Sequence, residues 1–99
     1  MDELTVLVTG SSRGIGRAAA IRLAREGYTV VVHGRTMSDA LKATLSEVQA
    51  LSPASRALTF DVSDREAARA AVSEDVEAHG AYYGLVLNLS FKAENRQNQ

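Results

Sequence analysis

Three glycines stand where one apolar pattern gives way to another, and that junction restricts the fold more than any other part of the chain. Leu4-Thr5-Val6-Leu7-Val8 is a nearly continuous run of apolar and β-branched residues. Its length and glycine-rich exit predict a strand buried on both faces, as in a parallel sheet. Thr9-Gly10-Ser11-Ser12-Arg13-Gly14-Ile15-Gly16 follows it. From Gly14 to Glu26 the period changes: Ile15, Ala19 and Leu23 recur every fourth residue with Ala18 beside them, while Arg17, Arg22 and Arg25 lie elsewhere on the helical wheel. An amphipathic helix with Gly27 at its end is expected.

The alternation continues along the chain. Tyr28 to His33, carried by Val30-Val31-Val32, reads as a second strand. Ser38 or Asp39 can cap a second helix whose apolar face is Leu41, Leu45, Val48 and Leu51, and Ser52-Pro53 stops it. Ala57 to Phe60 reads as a third strand ending at Asp61. Ser63-Asp64-Arg65-Glu66 has the form of a capping box, in which the Ser63 hydroxyl and the Glu66 carboxylate each satisfy a free backbone N–H. The helix after it shows Ala67, Ala70, Ala71, Val72 and Val76 and should end near His79-Gly80; Tyr83 to Asn88 is a fourth strand. Strands alternating with helices require crossover connections and a parallel sheet covered by helices, and right-handed crossovers leave few topologies. The expected fold is α/β: a partial Rossmann-like, doubly wound parallel sheet of four strands in the order 3-2-1-4 with three helices. Residues 1–88 form the expected domain. Residues 89–99 are polar without apolar periodicity and are expected to be a disordered tail.

Composition narrows the function classes. The 99 residues suit one domain, and the absence of cysteine excludes disulfides and thiolate metal sites. A formal net charge of -1 offers no electrostatic argument for nucleic acid or an anionic membrane. No stretch approaches the ~20 apolar residues of a membrane span. The acidic start Met1-Asp2-Glu3 and the short apolar run behind it do not suit a signal peptide. A soluble, cytoplasmic protein without nucleic-acid or membrane partners is expected.

The glycine loop carries the chemistry. Glycine permits a tight turn and leaves no side chain between backbone and ligand, and a helix N-terminus supplies free N–H groups and the positive end of its dipole. A diphosphate suits these features, whereas a plain connecting turn needs one glycine rather than three. The phosphate loop of nucleotide triphosphatases is excluded, because Ile15-Gly16-Arg17 stands where Gly-Lys-Ser/Thr would be required. Dinucleotide sites commonly place an acid at the end of the second strand for the adenine ribose hydroxyls. No acid occurs from Gly27 through Ser38; Arg35 leaves that strand, and Arg13 lies in the loop. Two guanidinium groups suit a 2′-phosphate, although Arg35 taken alone also reads as a solvated surface arginine.

These residues resemble the short-chain dehydrogenase/reductase family. Thr9-Gly10-Ser11-Ser12-Arg13-Gly14-Ile15-Gly16 matches its Thr-Gly-x-x-x-Gly-x-Gly cofactor motif throughout, and the likeness runs from Leu4 to Asn88. Within that family the chain is similar to the 3-oxoacyl-acyl-carrier-protein reductases. The resemblance implies that Gly10, Ser11, Ser12, Arg13, Gly14 and Ile15 line the diphosphate, with Gly16 completing the motif. It implies that Arg13 and Arg35 contact the 2′-phosphate, so that the cofactor is NADP(H). Asp61 would meet the adenine amino group and Val62 would pack on the ring; Asn88 falls on an asparagine of the family's Asn-Asn-Ala-Gly motif. Asp61 also reads as a turn residue, and Asn88 as a strand-end residue bonding neighbouring backbone.

The departures from the family matter as much. Leu87 stands for the first asparagine of that motif and Leu89-Ser90 for Ala-Gly, and Leu89 is expected to obstruct the cofactor's approach. The family's catalytic serine and Tyr-x-x-x-Lys pair are not found: four residues after Tyr82 and Tyr83 stand Val86 and Leu87, and both tyrosines are expected to pack at the strand entrance. His33, at a strand end, and His79, before a helix-ending glycine, occupy ordinary positions. The expected function is therefore the NADP(H)-binding N-terminal half of a short-chain oxidoreductase whose relatives reduce a 3-oxoacyl thioester, inactive alone. The pattern stops at Asn88 as in a truncated or frame-shifted gene or an expressed fragment. An enzyme completed in trans by another polypeptide, and a non-enzymatic doubly wound nucleotide-binding or interaction module, are the alternatives. Leu85, Val86 and Leu87 should stay partly uncovered, and self-association through the exposed fourth-strand edge is expected.

Overall fold

The computed structural model describes residues 4–87, so the expectations for Asn88 and for residues 89–99 lie outside the described residues. The elements are β1 (Thr5–Val8), α1 (Gly14–Arg25), β2 (Thr29–Gly34), α2 (Asp39–Leu51), β3 (Arg56–Thr59), α3 (Arg65–His79) and β4 (Gly84–Val86). All three strand pairs are parallel, as the alternation requires, and the sheet order is β3-β2-β1-β4, as expected. Val6 pairs with Val30 and Val8 with Val32. Partners in a parallel register project to the same face. These four valines therefore form one apolar surface, which Ala20 and Ala24 of α1 and Leu41 and Val48 of α2 bury. Leu7 and Val31 project to the opposite face and are also buried, which accounts for continuous rather than alternating apolar strands.

The buried face of α1 differs from the expected one. Gly16, Ala20 and Ala24 point inward, while Ile15 is 75% exposed and Ala19 and Leu23 are only partly buried. The four-residue period is right but displaced by one position. Small side chains let the helix axis approach the sheet, and their weak hydrophobicity hides them from a periodicity reading. In α2, Leu41 and Val48 are buried as expected, but Thr44 takes the place of Leu51, which is exposed. The Thr44 hydroxyl donates to the carbonyls of Ala40 at 3.2 Å and Ser12 at 3.1 Å, so this helix holds the glycine loop from the side.

The caps sort the helices. Ser38 caps α2, its hydroxyl accepting from the Leu41 N–H at 3.2 Å. Asp64, not Ser63, caps α3 by accepting from the Ala67 N–H at 3.1 Å, so the expected capping box does not form. Ser63 is drawn the other way: its N–H and hydroxyl both donate to Asp61 Oδ1, at 2.9 and 2.7 Å.

At the amino ends of the strands a buried carboxylate ties three segments together. Arg56, the first residue of β3, donates from Nε and Nη2 to the two oxygens of Asp75 on α3, at 2.7 and 2.6 Å. The Tyr82 hydroxyl donates to Asp75 Oδ2 at 2.6 Å. The Asp75 side chain is 4% exposed. Tyr83 stacks on Tyr28 with ring centroids 6.1 Å apart but stays 65% exposed, so of the two tyrosines expected to pack at the strand entrance only Tyr82 is partly buried. Leu85, Val86 and Leu87 remain 56%, 36% and 58% exposed, and among the described residues no strand pairs with the outer edge of β4. Among the described residues no helix is long and apolar enough to cross a membrane.

Candidate functional site

The carboxyl ends of β1, β2 and β3 open into one cleft of about 680 Å³. Each strand contributes the loop that follows it. After β1 the chain turns through Gly10 and Gly14, both left-handed at φ 60° and 66°, a conformation that L side chains rarely adopt. A Cβ placed on Gly14 meets no atom within 4 Å; the space in front of it is open.

The N-terminus of α1 is unlike the other two. Its N-cap, Arg13, is extended and makes no side-chain cap bond, and its first turn holds no acid. Helices α2 and α3 have both a capping side chain and an acid in the first turn. A helix start leaves several N–H groups without intrahelical partners and concentrates the positive end of the dipole there. At α2 and α3 the protein answers this with its own oxygens. At α1 the cleft faces it, which suits an anion.

Of the residues singled out from sequence, Gly10, Ser12, Arg13, Gly14, Ile15, Arg35, Asp61 and Val62 line this cleft together. Ser11 and Gly16 do not. Ser11 is fully buried with its hydroxyl turned to β2, and Gly16 packs inward on α1. Asn88 lies outside the described residues. Arg35 is an exposed rim residue, its Nη2 3.8 Å from Asp61 Oδ2. Asp61 is also the turn residue that holds Ser63, and the Ser63 hydroxyl, the Ser63 N–H and then the Arg35 charge keep its carboxyl below the ordinary aspartate range. The cleft thus combines two guanidinium groups, one ionised carboxylate, an anion-seeking helix start and two apolar side chains, Ile15 and Val62.

One lining residue, His33, was missed as a functional position. It is 2% exposed, and its ring bridges two loops. Nδ1 accepts from the Gly10 N–H at 2.9 Å, which places the proton on Nε2, where it is donated to the Phe60 carbonyl at 2.8 Å. The ring also lies against Phe60, centroids 4.1 Å apart. Burial pushes its pKa below the ordinary histidine value, partly offset by the Phe60 carbonyl. The available signal was a polar ring ending an otherwise apolar strand directly before the Gly34-Arg35 exit.

A family model described as short chain dehydrogenase matches residues 4–99. The chain is similar to the 3-oxoacyl-[acyl-carrier-protein] reductase FabG of Aggregatibacter actinomycetemcomitans, with 50% identity over 91 residues, 92% of this chain and 38% of the relative. Among solved structures it is similar to a variant actinorhodin polyketide ketoreductase with NADPH, at TM-score 0.78 and 36% identity, covering 88% of this chain and 33% of that one. It is also similar to a metagenomic short-chain oxidoreductase in complex with NADP, at TM-score 0.76 and 33% identity, covering 83% and 37% of the two chains. The chain therefore spans well under half the length of the relatives it matches.

Proposed function

The chain belongs to the short-chain dehydrogenase family, and we propose that residues 4–87 form the adenosine-diphosphate half of an NADP(H) site in a reductase of the 3-oxoacyl-[acyl-carrier-protein] type. The observation that carries this reading is the α1 start without a side-chain cap, opening into the same cleft as Arg13 and Arg35. The N–H groups of the loop and first turn hold the diphosphate. Arg13 and Arg35 take the 2′-phosphate, where an acid would have accepted ribose hydroxyls. Asp61 receives the adenine amino group and Val62 packs on the ring. The related structures described with NADPH and NADP support the choice of the phosphorylated cofactor.

When bound, the cofactor supplies the hydride, and the substrate class is a 3-oxoacyl thioester. Carbonyl reduction also needs a proton donor for the developing alkoxide. Both ring nitrogens of His33 are engaged in holding loops, and the Tyr82 hydroxyl is bonded to Asp75 at the opposite end of the sheet. The proposed role of this chain by itself is therefore binding and orientation without turnover.

Titration calorimetry with NADPH and NADH tests the assignment. NADPH should bind about tenfold more tightly, the size of one charge-assisted contact, and Arg35→Asp should abolish that preference. Equal affinity for the two cofactors would overturn it. Turnover of a model 3-oxoacyl thioester by the chain alone would overturn the claim of inactivity.

A further inference from the structure

We propose that His33 is a positioning residue for the dinucleotide loop: a neutral imidazole of fixed tautomer that sets the orientation of the Thr9–Gly10 peptide and locks the diphosphate loop to the adenine loop. This rests on the NADP(H) reading of the cleft and adds a residue that lies outside the glycine motif.

Backbone and side chain divide the work, and only the ring joins the glycine loop to the adenine loop. His33 meets the glycine loop through three groups. Its Nδ1 accepts from the Gly10 N–H at 2.9 Å, its backbone N–H donates to Ser11 Oγ at 2.7 Å, and its carbonyl accepts from the Ser11 N–H at 2.8 Å. The first motif glycine and its neighbour are therefore aligned by a residue 22 or 23 positions further on. Gly10 is left-handed at φ 60°, so the direction of its peptide decides where the following amides point. The far side of the ring donates from Nε2 to the Phe60 carbonyl at 2.8 Å, and Phe60 directly precedes Asp61 and Val62. The Phe60 N–H returns to the Gly34 carbonyl at 3.2 Å, closing the link between the second and third strand exits. A serine or a carboxylate at this position could not span both loops, because neither presents an acceptor and a donor on opposite sides of a rigid ring.

The tautomer follows from the partners. Gly10 offers only a donor and Phe60 only an acceptor, so Nδ1 must be bare and Nε2 protonated. An imidazolium would set two N–H groups against each other across the Gly10 contact. Burial, which holds the pKa of this ring below the ordinary value, favours the same neutral state. The charged groups facing the ring's surroundings across the cleft are Arg13 of the glycine loop, Arg35 after β2 and Asp61 after β3.

The experiment uses the complete chain. In the ligand-free protein, long-range nitrogen–proton NMR should show His33 as the Nε2–H tautomer, and the Gly10 amide should shift as His33 titrates. NADPH affinity is then measured by calorimetry for two variants, with thermal unfolding alongside. His33→Leu removes both ring contacts and should weaken NADPH binding by about tenfold or more. His33→Asn keeps an acceptor near the Nδ1 position but not the link to Phe60, and should recover only part of that loss. If His33→Leu does not fold, the tautomer and the Asn variant decide the matter. An Nδ1–H tautomer, a Gly10 amide indifferent to the titration, or a folded Leu variant with wild-type affinity would each overturn the proposal. Failure of the wild-type chain to bind NADPH would defeat the cofactor reading instead, while the ligand-free NMR would still decide what His33 does to the loop.

Discussion

The two ends of the sheet are closed by opposite chemistries. At the carboxyl ends, where the cleft lies, loops are held by hydrogen bonds among His33, Gly10, Ser11 and Phe60, with a neutral ring at the centre. At the amino ends a buried carboxylate, Asp75, gathers a guanidinium and a phenol. A charged cluster holds tightly but tolerates no missing partner, because an ion left alone in a dry site is costly. A neutral network costs less to desolvate and leaves the surrounding field to the charges that face a ligand. At the cleft Arg13 and Arg35 stay exposed, Arg35 in only a loose 3.8 Å contact with Asp61, whereas the charges at the opposite end are buried in docking α3 against β3.

The largest test of this contrast is Asp75→Ala. It strands the Arg56 guanidinium, whose side chain is only 20% exposed, and leaves the Tyr82 hydroxyl without its acceptor. A loss of about 3 kcal/mol is expected in urea unfolding, the range for breaking a largely buried pair, with NADPH affinity of the folded fraction unchanged. A loss below about 0.5 kcal/mol would mean that the pair behaves as a surface ion pair.

Acidity should separate the two ends next. His33 is held below the ordinary histidine value by burial, so the neutral ring's contribution is complete above ~6.5 and is lost as pH falls through its own lower value. Asp75 is held below the ordinary carboxyl range first by its bond to Arg56, so its contribution is complete above ~4 and is lost only in stronger acid. Tyr82 is raised by burial and by Asp75; its contribution is present below ~10 and lost as pH rises beyond that. Amide exchange in mild acid should therefore accelerate at Gly10 and Ser11 before it does around Asp75. His33→Asn should remove the mild-acid step. Simultaneous loosening of both ends would break the comparison.

The smallest effect compares helix starts. Ser38→Ala removes the α2 cap and should cost about 1 kcal/mol. Arg13→Ala, at the same position of α1, should leave thermal stability near the wild-type value, since its side chain makes no cap bond. A comparable loss from Arg13→Ala would show that α1 depends on this side chain for its start.

Much of this architecture was legible in the residues. Three β-branched valines in Val30-Val31-Val32 and the glycine-rich exit of β1 point to a parallel sheet, and crossover handedness leaves few orders, of which the expected one is observed. Arg13, Gly14, Arg35, Asp61 and Val62 were brought to one cleft because strand exits in such sheets converge. What escaped was decided by tertiary contact. Ser63 and Asp64 are both good caps, and the nearby Asp61 carboxylate captured Ser63. The inward stripe of α1 is glycine and alanine, which periodicity weighs less than Ile15. Asp75 looks like any helix-surface acid until Arg56 and Tyr82 arrive from distant segments, and His33 looks like a strand end until Gly10 and Phe60 flank it.

The placement of the aromatic residues has an optical consequence. The chain contains three tyrosines and no tryptophan. Tyr28 lies just before β2, and Tyr82 and Tyr83 just before β4, so every tyrosine belongs to the amino ends of the strands. One of the three donates its hydroxyl proton in a hydrogen bond to a carboxylate, and the other two are stacked on each other. Tyrosine emission from this molecule therefore reports on the end of the sheet opposite the cleft. A fluorescence melt would record the release of Asp75 and its partners. Occupancy of the glycine loop would need a signal from the ligand itself.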